Sequence, residues 1–155
     1  MLQLIDIKLE IDRHIKRIEA ILPDIQNWLP LQKEDLDDTE KVKTIDSFIY
    51  RFTKIQDKMG EKLFPAVLKE FQEYKPNMPL IDVLNKLEKF ELIDNVDMWI
   101  DFRKLRNNLT HDYPDNEAEI IETINLSITT YFKMKNIYLK MLNATGLQIV
   151  LTNDK

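Results

Sequence analysis

Leu4, Ile7, Ile11, Ile15, Ile18 and Leu22 recur at spacings of three and four, the repeat of one apolar face of an α-helix. The same spacing returns in Val42, Ile45, Phe48, Ile49, Phe52, Ile55, Met59 and Leu63, and again from Ile120 to Met141. A chain patterned this way must bury helical stripes against one another. Only two glycines occur, Gly60 and Gly146, and short alternating segments are few. An all-β fold needs turn residues every few positions, so this scarcity argues against one.

The punctuation gives the order of elements. A first helix is expected from about Leu2 to Trp28, with Pro23 kinking or dividing it, followed by a polar loop from Gln32 to Asp38. Thr39 is placed to cap a second helix, which Gly60 and Pro65 should bend before it continues through Phe71. Tyr74 to Pro79 reads as the clearest loop. A third helix runs from Leu80 to about Phe90, with Leu80, Val83, Leu84 and Leu87 inward. Asp94 or Asn95 opens a fourth, whose stripe is Trp99, Phe102, Leu105 and Leu109; Pro114 closes it, because proline disfavours helix in the residue before it. A fifth starts near Asn116 and ends near Leu142, and the segment from Gly146 onward is short and β-like. The expectation is an all-α antiparallel bundle of about five helices over residues 1–143, with a short tail at 144–155.

Composition narrows the class. Apolar residues make up 44% and charged residues 32%, the balance of a globular domain that buries a real core. With no cysteine, disulfides and thiolate metal sites are excluded, and a reducing, cytoplasmic setting is expected. The apolar run at the N-terminus is broken by charges and does not read as a signal peptide, and no stretch approaches the roughly 20 apolar residues of a membrane span. A net charge of −5 disfavours long-range steering toward nucleic acid, so any contact with RNA must be local.

One segment carries residues suited to chemistry. Arg106, Asn107, His111 and Tyr113 fall near the end of the fourth helix, and His111 is one of two histidines. An imidazole moves protons near neutral pH, and a guanidinium holds phosphate with a fork of donors. On a helical wheel Arg103, Asn107 and His111 share a sector beside the apolar stripe, with Arg106 and Thr110 between the two. Arg103, Lys104 and Arg106 form a small basic cluster flanked by Asp101, Asp112 and Asp115. The same residues also have an ordinary reading. A histidine near a helix C-terminus is stabilised by the helix dipole, and an arginine beside an apolar stripe often only snorkels. His14, set among charges on the first helix, reads as a solvated surface residue. Neither a Glu-x-x-His pair nor a His-Glu-x-x-His motif is present, so no metal or other cofactor is expected.

Arg106, then His111 five residues on, then Tyr113, with Asn107 directly after the arginine, resembles the motif of HEPN-domain proteins, in particular the HepT-like toxins. Leu87 to Ile93, Trp99 and the run from Arg103 to Asn107 look like the final part of that domain, and Arg51 to Pro65 is similar to its second helix in one branch. The resemblance covers about residues 1–143. It implies a metal-independent endoribonuclease acting as a homodimer, with Arg106, Asn107 and His111 as catalytic residues and Arg103 and Lys104 contacting RNA. It also implies a partner, a minimal nucleotidyltransferase (MNT) antitoxin, that silences the toxin by attaching adenylate to Tyr113. A different class of function stays open on the same residues: a non-catalytic substrate-binding or regulatory subunit of a nucleotidyltransferase, which would want the same arginine and histidine.

Overall fold

The computed structural model describes residues 1–110 and 117–147, and among these every regular element is helical. Helix α1 (Leu2–Trp28) stays a single helix across Pro23. A 3₁₀ turn (Lys33–Asp37) follows where a loop was expected, and Asp38, not Thr39, caps α2 (Thr39–Lys58) by accepting from the amides of Glu40 and Lys41. The carboxylate serves both donors at once, and Thr39 becomes the first residue of the helix. A π turn (Met59–Leu63) joins α2 to α3 (Phe64–Glu70). Pro65 has no amide hydrogen and its ring crowds the carbonyl four residues back; the wider turn accommodates both without breaking the rod. Helices α4 (Leu80–Lys89), α5 (Val96–Thr110) and α6 (Glu117–Ala144) complete the bundle. Counting the α2–α3 rod once, this is the all-α bundle of five helices that the periodicity predicts.

With so few glycines, helix ends must be made from other residues. Gln72 and Glu91 take left-handed φ values of 60° and 61° just beyond α3 and α4, where glycine is usual. The amides of Glu73 and Leu92 then close back onto the carbonyls of Leu68 and Leu87 at 2.8 and 2.9 Å. Gly146 does the same beyond α6, and its follower Leu147 is buried, as is Leu92.

The core is aromatic along its length. Phe48 stacks on Phe52, Tyr131 meets Phe48 edge-on, and Trp99 packs between Phe64 and Phe102 with ring centroids 4.6 and 5.8 Å away. Burying each such side chain is worth about 1.5–3 kcal/mol against exposure. The polar side chains that α6 carries into its seams find partners. Tyr138 donates to Asp12 at 2.6 Å and Tyr131 to Glu19 at 2.7 Å, tying α6 to α1. Burial, with each carboxylate accepting from the hydroxyl, holds both phenols in the neutral form. Asn125 on α6 pairs with both backbone groups of Leu31. None of the described helices is long and apolar enough to cross a membrane.

His14 departs from its expected place in solvent. It is half-buried between α1 and α2, and Arg51 Nη1 donates to its Nδ1 at 3.0 Å, which fixes the neutral ring with its proton on Nε2. Burial, then the charges of Arg51, Lys54 and Arg13, depress its pKa against the opposing pull of Glu10. The folded chain therefore binds fewer protons than the unfolded one just below the ordinary histidine value of 6.5. This stabilisation is complete above that value and is lost as pH falls from it toward the folded pKa. Against His14→Gln, whose carbonyl can accept from Arg51 without titrating, the parent should lose urea resistance between about pH 7.5 and about pH 5.5. An unchanged gap between the two urea midpoints would show that His14 is not proton-linked to folding.

Candidate functional site

The site begins with a polar residue in an apolar stripe. Gln56 follows Phe48, Phe52 and Ile55 along the inner face of α2 and is buried with them. An amide there must be satisfied by the neighbouring helix. Its Nε2 donates to the Phe102 carbonyl of α5 at 3.0 Å and also approaches Met134 Sδ at 3.6 Å. The next residue, Asp57, emerges at the edge of the seam and meets Arg106 one turn further along α5. Arg106 Nε donates to Asp57 Oδ1 at 3.0 Å and Nη2 to Oδ2 at 2.8 Å, the two parallel bonds of a guanidinium–carboxylate fork. Bonding to Asp57 raises the Arg106 pKa further above its already high value, and the charge of Glu61 adds to this.

Two of the arginine's three nitrogens are thus held, and its direction is set. Nη1 has only long contacts with neutral oxygens among the described residues, Asn107 Oδ1 at 3.5 Å and Thr110 Oγ1 at 3.4 Å. Thr110 is itself turned back on the helix, donating to the Asn107 carbonyl at 3.0 Å. Beside this edge opens a cleft of roughly 560 Å³, bounded by the π turn, α5 and the segment leading into α4. Arg103, Arg106 and Asn107 line one side of it, and Asp57 and Glu61 stand opposite on the rod. Arg103 and Asn107 are exposed, Arg106 half-buried.

The expected residues divide accordingly. Arg103, Arg106 and Asn107 converge on one cleft. Lys104 does not join them: it lies on the α6 side, in a separate depression with Asp101, Glu119 and Glu122. The reason is angular, since one residue on a helix turns the side chain by about 100° from Arg103. Trp99, Phe102 and Leu105 are buried as the stripe requires, while Leu109 is half-buried against Leu31, Ile45, Ile121 and Ile124. His111 and Tyr113 lie outside the described residues. Asp57 was not anticipated. The available signal was Gln56, an amide on an otherwise apolar helical sector, which marks a seam where polar partners meet.

A double-mutant cycle checks the fork. Asp57→Asn and Arg106→Gln should each lower stability, with a coupling of about 1 kcal/mol, because the pair is bidentate but part-exposed. The coupling should shrink in high salt. Strict additivity of the two substitutions in urea unfolding would mean that the fork contributes nothing in solution. Comparison of the chain with protein-family models, with curated proteins and with solved structures finds no match.

Proposed function

We propose that this chain is a HepT-like toxin: a metal-independent endoribonuclease that works as a homodimer and is neutralised by a minimal nucleotidyltransferase partner. The observation that carries the reading is the Asp57–Arg106 fork, which aims a guanidinium edge into a cleft shared with Arg103 and Asn107. That edge is where negative charge on a phosphate would be received, in a site partly screened from water where such hydrogen bonds are strengthened.

RNA brings its own nucleophile. In the proposed reaction a base removes the 2′-hydroxyl proton, the 2′-oxygen bonds to phosphorus, and the P–O5′ bond breaks as an acid protonates the leaving oxygen. The products are a 2′,3′-cyclic phosphate and a 5′-hydroxyl. Each chain supplies one imidazole, His111, for two proton transfers. A two-fold dimer brings the second, so one His111 serves as base and its mate as acid. Arg106 stabilises the charge that grows on the non-bridging oxygens, Asn107 bonds the phosphate or orients the imidazole, and Arg103 adds positive charge on the approach. Lys104, in the separate depression on the α6 side, has no part in this scheme.

Cleavage of single-stranded RNA with chelator present tests the reading. His111→Ala should lower the rate about 10²–10⁴-fold and Arg106→Ala about 10²–10³-fold, with the products ending as described. Loss of activity on adding chelator, or equal cutting of DNA, would refute it. An active monomer in sedimentation would remove the dimer alone.

Regulation follows from Tyr113, whose phenol is an acceptor for adenylate. A phosphate there would compete with RNA for the Arg106 edge. Co-expression with the partner should add one or more adenylates and abolish cleavage, and Tyr113→Phe should escape both. Undiminished cutting by the modified chain, or equal adenylylation of Tyr113→Phe, would rule this control out.

A further inference from the structure

The cleft beside Arg106 has an inner end that the cleavage chemistry does not use. Trp99 lines it, and its Nε1 is buried without a hydrogen-bond partner among the described residues. Buried donors are almost always paired, so an indole N–H left in this state asks for an acceptor. The covering residue is Gly60, in the π turn. A Cβ built there would stand 3.6 Å from Trp99 Nε1 and 3.7 Å from Cζ2, in van der Waals contact with the N–H edge of the indole. Glycine, which weakens helices, puts no side chain against that edge.

The rest of the cleft is two-sided. Pro65, Met78, Leu80 and Val83 supply apolar wall, and Arg103, Arg106 and Asn107, exposed or half-buried, supply donors. A volume of roughly 560 Å³ lies within the range of about 300–1,000 Å³ typical of clefts for small organic ligands. A ligand matching this pattern is flat and largely apolar, with a projecting acceptor at one end and an anion at the other. We propose that the cleft is a base-recognition subsite: a keto-bearing base, uracil or guanine, sets its exocyclic oxygen on Trp99 Nε1 while the adjoining phosphate lies along Arg103 and Asn107. The inference rests on the ribonuclease reading for its substrate and adds a sequence preference to it. A recessed donor is reached by an atom that projects from the ring. Uracil and guanine carry such an oxygen beside an imino N–H, and Glu61, which also lines the cleft, offers a carboxylate to accept from it. Adenine presents an amino group instead, which sets donor against donor.

The indole proton reports directly. The chain has two tryptophans, so a ¹H–¹⁵N spectrum of the full chain holds two indole signals, and Trp28→Phe assigns them. Titration with uridine or guanosine monophosphate should move the Trp99 signal, and adenosine monophosphate should do so at least several-fold more weakly. Gly60→Ala should abolish the response while unfolding at or above the parent's temperature, since alanine favours the helix. A Trp99 signal indifferent to all nucleotides, or moved equally by adenosine monophosphate or by inorganic phosphate, would overturn the subsite. The cleavage assay separates the two readings. Cutting of RNA with a silent Trp99 indole defeats the subsite alone. A responsive indole without cutting upholds the subsite and defeats the ribonuclease.

Discussion

Everything around the cleft depends on how α2 grips α5. Gln56 takes the Phe102 carbonyl inside the seam, and Asp57 takes the Arg106 guanidinium at its edge. The two contacts are adjacent on α2 and one helical turn apart on α5, so together they fix both the spacing and the rotation of the helices. Apolar packing alone sets neither so narrowly, because stacked rings tolerate small slides. The directional bonds convert a general hydrophobic contact into one registered arrangement.

That registration has an electrostatic side. The chain is acidic, and Asp57 cancels much of the charge Arg106 would otherwise present. What survives is direction: an N–H edge held at a defined angle, with Arg103 nearby for charge. A site built this way selects by geometry more than by attraction at a distance. It suits an anion delivered by other contacts better than one captured from bulk solution.

Much of the fold could be read from periodicity, because helical stripes are local and each reports its own element. The inner residues of α4 and α5 emerged where spacing put them, with Leu80 and Leu109 half-buried at the margins. Local reading fell short where two nearby residues compete for one role, as when Asp38 displaced Thr39 as the cap of α2. It failed where the partner is remote. Asp57 and Arg106 are 49 residues apart, and nothing in either neighbourhood announces the other. His14 looked solvated among its charges for the same reason, since Arg51 reaches it from a different helix. Lys104 was grouped with Arg103 by proximity in the chain, although neighbours on a helix face different ways.

The π turn does more than accommodate Pro65. One additional residue in a turn sets the following helix back by about 100° relative to an uninterrupted α-helix. Without that setback, Phe64, Val67 and Leu68 would point well away from the side on which Phe48, Phe52 and Ile55 are buried; with it, all six lie in the interior. The rod therefore carries two stripes written in different phases, and the wide turn is the splice that aligns them. The splice is also where backbone with almost no side-chain bulk, at Gly60, comes up against the indole of Trp99. The phase of the core and the depth of the cleft are thus set by the same five residues, and neither can be altered alone.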